Sequence, residues 1–229
     1  KEDSIKVNSL ISLGGLYLDS DLDLAIDYSI QAKELAEKID HQKGLGNALK
    51  TLGIAHAYKG NYIDANINFQ AALEVFKKID FKDGVANILN NLGSLNFSMG
   101  DDTKSIEYHL QSLKISEEIN NKMRIATNLN NIGTVYSNKL ATRSKSLEYY
   151  LKALTYFKEI QYNDGVATAS VNIGEDYFFR GNYDSALNYF KTSAKLFEGT
   201  SDAALALTYI AEIYASRNNF TDAIPQPGY

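Results

Sequence analysis

Residues 48–80 read ALKTLGIAHAYKGNYIDANINFQAALEVFKKID, and four other stretches of the chain line up with them. The register is set by Gly53, and glycines in the same setting stand at Gly14, Gly93, Gly133 and Gly174, with Ala211 in a shorter sixth copy. The spacings between them are 39, 40, 40, 41 and 37 residues. A period in this range marks stacked supersecondary units, each burying its apolar face against the next. Every copy divides into two amphipathic stretches. In the first, Leu49, Leu52, Gly53 and His56, or Leu129, Ile132, Gly133 and Tyr136, fall at helical spacing. Turn signals follow at Gly60-Asn61, Gly100-Asp101 and Gly181-Asn182. The second stretch carries a small, a large and again a small residue at i, i+4 and i+7: Ala65, Phe69, Ala72; Ser105, His109, Ser112; Ala186, Phe190, Ser193. That spacing puts all three on one face, where the small residues let two helix backbones approach. The pattern predicts an all-α chain of antiparallel helical hairpins.

Composition agrees with this class. The only prolines, Pro225 and Pro227, stand at the far end, so no proline interrupts a helix before them. No run approaches the roughly 18 apolar residues of a membrane span. The absence of cysteine excludes disulfides, thiolate metal sites and cysteine nucleophiles. A net charge of -5 with a pI near 5.3 argues against nucleic acid as partner, because neutralising phosphates needs a basic surface.

The set Leu-Gly-x-x-Tyr, Gly-Asn-Tyr and Ala-x-x-x-Phe/Tyr-x-x-Ala resembles the tetratricopeptide repeat (TPR) family over about residues 8 to 224. The family's usual repeat is about 34 residues. The longer copies here, closing on Ile-Asp, Ile-Asp, Ile-Asn and Glu-Ile, are similar to those of kinesin light chains, spindle-orientation adaptors and bacterial Rap-type regulators. The opening Lys-Val-Asn-Ser-Leu-Ile and the Lys-Gly-Leu-Gly-Asn-Ala-Leu between copies are most similar to TPR segments of bacterial sensor proteins, where they precede a histidine kinase or a nucleotide cyclase. The resemblance implies a right-handed superhelical α-solenoid. Its expected extent is one domain over 1–224, with repeats near 3–40, 42–80, 82–120, 122–161 and 163–199, a cap helix at 201–216 and a tail at 225–229. The first copy is one residue short at Asp19-Ser20-Asp21, and the fourth is one residue long in Asn138–Thr142. In the sixth copy Ala223 is followed by Pro225 and Pro227, which stop a second helix. Together with the missing initiator Met, this leads us to expect a module of a longer protein.

In this family the first helices line the concave face, and residues six and three before the register glycine, and one and four after it, point inward. Carried over, these positions give Asn8, Asn47, Asn87, Thr127 and Thr168; Lys50, Asn90, Asn130 and Val171; Ser94, Thr134 and Glu175; and Phe97, Ser137 and Phe178. Asn91, Asn131 and Asn172 stand at the inner edge beside them. Asparagine is a poor helix former, because its amide competes for backbone hydrogen bonds, so a ladder of asparagines calls for a reason. Their donors and acceptors suit the backbone of an extended peptide, with Phe97, Phe178, Phe179 and Tyr58 as apolar neighbours. A second explanation stays open for Asn91, Asn131 and Asn172: they bridge neighbouring first helices within the scaffold itself. The family's carboxylate clamp is not reproduced. Lys50 and Asn91 occupy two of its places, but Ile54 replaces an asparagine, and Asn130 and Thr134 replace the later basic pair.

Catalytic motifs are missing. His41 lies between repeats, while His56 and His109 take packing positions, and no metal-ligand spacing links the three. Gly44-x-Gly46 and Gly14-Gly15 lack the strand–turn–helix setting of a phosphate loop. Carboxylates such as Glu34, Glu37, Glu117 and Glu118 mark a solvated face, whereas Glu175 is expected inward beside Asp176, able to select a basic group on a ligand. The sequence therefore reads as a non-enzymatic, cofactor-free scaffold with a protein or peptide partner. Two rival readings are a sensory input module for a downstream kinase or cyclase, and a structural platform that self-associates into a homo-oligomer. The compartment, cytoplasmic or periplasmic, stays open.

Overall fold

The computed structural model describes residues 2–216; the tail at 225–229 and Ala223 lie outside them. The chain divides into two compact units, one ending at Asn120 and one starting at Asn121. The first holds six helices: α1 (Glu2–Leu16), α2 (Leu22–Lys38), α3 (Gln42–Tyr58), α4 (Tyr62–Lys78), α5 (Lys82–Ser98) and α6 (Asp102–Glu118). They pair as α1 with α2, α3 with α4 and α5 with α6, while α2 packs on α3 and α4 on α5. The second holds α7 (Lys122–Ser137), a 3-10 turn at Arg143–Lys145, α8 (Ser146–Glu159), α9 (Asn163–Phe179), α10 (Tyr183–Leu196) and α11 (Ala203–Ser216). Here α7 pairs with α8 and α9 with α10; α8 packs on α9, and α11 on α10. Among the described residues all regular structure is helical, so the fold is the expected all-α array of hairpins.

Three hairpin turns, α3–α4, α5–α6 and α9–α10, are closed by one device. At the end of α3, Gly60 N–H donates to the Ala57 carbonyl at 3.0 Å and Asn61 N–H to the His56 carbonyl at 2.9 Å. This Schellman arrangement satisfies the last carbonyls of a helix and needs a left-handed residue, which Gly60 supplies at φ 78°. Gly100 and Gly181 repeat it. The second helices α2, α4 and α8 end on the same bonding without glycine, at Asp40, Asp80 and Gln161, and Asn120 after α6 shares their left-handed backbone: the four take φ of 51°, 51°, 55° and 53° in that order. Asp and Asn tolerate this region and Gln does not share their short side chain, which makes Gln161 the most strained of the four. In the first copy, where the turn glycine is lost, α1 stops at Leu16 and α2 begins only at Leu22, capped by Asp21, which accepts from the Asp23 and Leu24 N–H groups at 3.1 Å. The short copy therefore has the longer connection, because without the left-handed residue the helix unwinds a turn earlier.

The small–large–small set is the core. Ala65, Phe69 and Ala72 are buried with Leu49, Leu73, Phe76, Leu92 and Leu95 in the first unit. Ala186 and Phe190 are buried with Val171, Leu187, Ala206 and Ile213 in the second. The register glycine faces the large member of the set. A Cβ built on Gly53 would lie 2.5 Å from two ring carbons of Phe69, and one on Gly133 would lie 2.6 Å from two ring carbons of Tyr150. Only glycine lets these rings lie against the first helix, and their outer edges floor the sites described next.

Candidate functional site

In the first unit, α3, α4 and α5 enclose a slot of about 270 Å³ lined by Ile54, Ala57, Tyr58, Tyr62, Phe69, Asn91, Ser94, Leu95 and Ser98. In the second, α7, the 3-10 turn, α8 and α9 enclose one of about 240 Å³ lined by Ser137, Asn138, Arg143, Tyr150, Asn172, Glu175, Asp176 and Phe179. The two are built from equivalent places. Phe69 and Tyr150, the rings on the register glycines, form their floors. Asn91 and Asn172 each stand two residues before the next glycine, and Ser94 and Glu175 one residue after it. The chemistry differs. No lining residue of the first slot carries a charge, whereas the second has two carboxylates and an arginine.

The sequence candidates divide between the units. In the first, Asn47, Lys50, Asn87, Asn90, Asn91 and Phe97 are half-buried and Ser94 is exposed, yet only Asn91 and Ser94 reach the slot. Asn91 Nδ2 donates to Asn87 Oδ1 at 3.4 Å along α5. Asn90 Oδ1 lies 3.1 Å from Nδ1 of His109, a ring buried against Gly93, so this asparagine helps hold the core histidine. In the second unit, Thr127, Asn130, Asn131, Thr134, Asn172, Glu175 and Phe178 are half-buried, and Asn172 and Glu175 reach the slot. Asn172 Nδ2 donates to Asn130 Oδ1 at 3.0 Å, a bridge from α9 to α7 of the kind the scaffold explanation anticipates. Thr127 donates to the Met123 carbonyl within its own helix. Thr134 lies under the floor, where the Tyr150 hydroxyl is 3.4 Å from its Oγ1 and 3.2 Å from Ser137 Oγ. Of the expected apolar neighbours, Tyr58 and Phe179 line slots, while Phe178 packs among Phe179, Tyr183 and Tyr209.

Sequence reasoning missed Arg143 and the role of Asp176. Asp176 is 3% exposed; its Oδ2 accepts from Ser146 Oγ at 2.5 Å and its Oδ1 from Arg180 Nε. Glu175, by contrast, is tied to the Tyr209 hydroxyl, and burial raises its carboxyl above the usual value against the weaker pull of Tyr209 and of Arg143. Tyr209 is itself pushed up to about 12, first by burial and then by the neighbouring Glu175 charge. The signal for Arg143 was the longer fourth connection, which places the 3-10 turn at the slot's rim. Among the described residues no group of three or more His, Asp or Glu side chains is arranged to hold a metal ion. No described helix is long and apolar enough to cross a membrane.

The fold is similar to that of BtubC from P. vanneervenii, with a TM-score of 0.76 and 20% identity over 89% of this chain and 87% of that one. It is also similar to a STAND signal-transduction ATPase with a tetratricopeptide repeat sensor from Pyrococcus horikoshii, with a TM-score of 0.75 and 21% identity over 96% of this chain but 35% of that one. A Rap protein solved in complex with competence and sporulation factor gives a TM-score of 0.69 at 18% identity, covering 97% of this chain and 73% of that one. At these identities the likeness is one of fold. No curated protein sequence matches the chain. A tetratricopeptide repeat profile matches residues 7–78 and 84–159, and a second one matches 171–228. The chain belongs to the tetratricopeptide repeat family, whose members are in general non-catalytic protein-interaction scaffolds.

Proposed function

We propose that this chain is a non-enzymatic scaffold that binds an extended peptide segment of a partner protein along the first-helix faces of its units. The observation that carries this reading is the repeated slot: an aromatic floor on a register glycine, rimmed by an asparagine, built at equivalent places in both units. An extended strand needs alternating pockets for side chains and polar groups for its backbone. The first slot supplies an apolar pocket in Ile54, Tyr58, Tyr62 and Phe69, with the amide of Asn91 and the hydroxyls of Ser94 and Ser98 at its edge. Asn47, Lys50 and Asn87 in the first unit, and Asn131 in the second, extend the proposed contact surface. The Rap protein's complex with competence and sporulation factor supports this reading by analogy of fold.

Selection from a displayed random-peptide library tests it. Enriched peptides are expected to bind the wild-type chain and to lose about tenfold or more in affinity, roughly one hydrogen bond or one buried side chain, on Asn91→Ala or Ile54→Asp. Far-UV circular dichroism checks that helicity is kept. A selection that enriches nothing, or peptides indifferent to both substitutions, overturns the proposal.

A further inference from the structure

The slot of the second unit has features that generic peptide capture does not require. Arg143 is carried to its rim by the lengthened connection after α7 and held there from several sides. Its Nε donates to the Ser137 carbonyl at 3.2 Å, and its guanidinium lies 4.7 Å from the centroid of the Phe179 ring. The turn itself is fixed by Thr142 Oγ1 donating to the Tyr136 carbonyl at 2.8 Å. One guanidinium face and one N–H are thus engaged, while the terminal nitrogens donate to no described residue; a guanidinium so held presents an end-on fork for a carboxylate. Glu175, the opposite charge, lines the same cavity and is anchored by the Tyr209 hydroxyl. Arg143 and Glu175 form no ion pair with each other. Asp176 is not available, since Ser146 and Arg180 occupy its oxygens.

Two ionisable groups of opposite sign, each half-buried and neither in a contact ion pair with a described residue, therefore line one cavity, with Arg143 drawing on the Glu175 carboxyl across it. A bare anion would meet Glu175, a bare cation would meet Arg143, and an apolar group would strand both. A group that carries both charges satisfies both. The cavity of about 240 Å³ holds the equivalent of about eight waters at ~30 Å³ each, the size of one amino-acid residue. We propose that this slot binds a single amino-acid residue through its carboxylate, on Arg143, and its ammonium, on Glu175. Two sources share that chemistry: a free amino acid, and a lysine at the C-terminus of a peptide. The assignment rests on reading the first-helix faces as ligand-bearing, but not on peptide capture by the first unit.

Calorimetric titration of the whole chain separates these cases. One arm uses free L-lysine and the other an N-acetylated peptide of four alanines ending in lysine, with the carboxylate amidated or the side-chain ammonium acetylated as controls. At least one unblocked probe binds, the tighter one names the source, and each blocking step costs about tenfold or more in affinity. Arg143→Gln and Glu175→Gln each cause a similar loss, with unchanged circular dichroism. The blocked probes are read on the wild-type chain, so a variant that misfolds leaves the test intact. The proposal falls if neither probe binds at concentrations on the order of 10 mM, well above the millimolar range of weak specific ligands. It also falls if blocking either group leaves affinity unchanged, or if folded variants bind as the wild type does. Ile54→Asp, in the other unit, is expected to leave this titration unaltered. Peptide selection that fails while the titration succeeds removes the extended-peptide reading and leaves the slot.

Discussion

Gly53 and Gly15 provide a controlled pair, because the same substitution has opposite consequences at two helical sites of one unit. At Gly15 an added Cβ meets nothing within 4 Å, so Gly15→Ala gains only helix propensity, at most about 1 kcal/mol and less near the end of α1. At Gly53 the Cβ would lie 2.5 Å from Cδ1 and Cε1 of Phe69 and 3.0 Å from Cζ. Unstrained carbon contacts need roughly 3.5–4.0 Å, so the ring must withdraw by about 1 Å. Phe69 is 2% exposed, shares a buried cluster with Ala72, Leu73 and Leu92, and lines the slot. Overpacking of this kind costs roughly 1–3 kcal/mol, against the same propensity gain of about 1. The two variants are therefore expected to differ by about 1–3 kcal/mol, Gly15→Ala being the more stable. Urea unfolding followed by circular dichroism measures the difference. Adding Phe69→Leu to each variant locates the cause: the double-mutant cycle with Gly53→Ala should show coupling of about 1 kcal/mol or more, and that with Gly15→Ala none beyond about 0.5. Equal stabilities for Gly15→Ala and Gly53→Ala, or a cycle without coupling, would refute the claim that the register glycine exists to seat the ring. The ring also floors the first slot, so Gly53→Ala should weaken any slot ligand even at denaturant-free, fully helical conditions.

Gln161 holds a left-handed φ of 55° without the short side chain that eases this at Asn120, so Gln161→Gly should raise stability by about 1 kcal/mol, read as a rise of roughly 2–4 °C in Tm; no rise would contradict the strain. Glu175 binds its proton more tightly in the folded chain than its ordinary value of 4.5 allows, so that stabilisation is complete below about 4.5 and is lost as pH climbs through the raised folded value. Glu175→Gln, which cannot ionise, should therefore gain stability relative to wild type between pH 4 and pH 8, roughly the span around an ordinary carboxyl, and a pH-independent difference would sink this. Tyr209, raised to about 12, should be among the last tyrosines to ionise in an ultraviolet titration of the folded chain, and Tyr209→Phe should delete that late component. An unaltered alkaline limb in the variant would show that its hydroxyl is not held as described.

Helices, register glycines and packing sets were legible because each is encoded locally. Gly53 and Phe69 are close in sequence, and the i, i+4, i+7 face of Ala65, Phe69 and Ala72 is a property of one helix. The left-handed ends of the second helices were half legible. The Ile-Asp and Ile-Asn closings were visible, but the conformation they adopt follows from the Schellman bonding of the next two N–H groups. The asparagine ladder was legible as positions and not as roles. Asn91 Nδ2 donates at 3.4 Å to Asn87 Oδ1 four residues back on its own helix, Asn90 goes to His109 on the following helix, and Asn130 accepts from Asn172 at a separation of 42 residues. One side-chain type at a matched spacing thus serves a helix, a hairpin and a contact between hairpins, and spacing alone does not separate those uses.

The slots were illegible for a related reason, and the reason bears on what they do. The inward positions carried over from the family all lie on first helices, yet each slot draws on other elements as well: Tyr62 and Phe69 of the second helix in one unit, Tyr150 of the second helix and Arg143 of the turn in the other. A change in connection length is thereby converted into a change in ligand chemistry. The three-residue link between α3 and α4 leaves the first slot uncharged, with Tyr62 at its edge. The longer link between α7 and α8 forms the 3-10 turn that brings in Arg143, and Phe179, at the place Ser98 takes in the first unit, provides the ring on which the guanidinium rests. The floor, the register glycine and the rim asparagine stay as they are, so the alteration adds a charge without disturbing the packing that supports the slot. Loops accept such length changes at little cost in stability. A repeat scaffold can on this basis diversify its ligands one hairpin turn at a time, and shortening the Asn138–Thr142 connection by one residue should remove the carboxylate selectivity that Arg143 gives the second slot while leaving Glu175 and the aromatic floor in place.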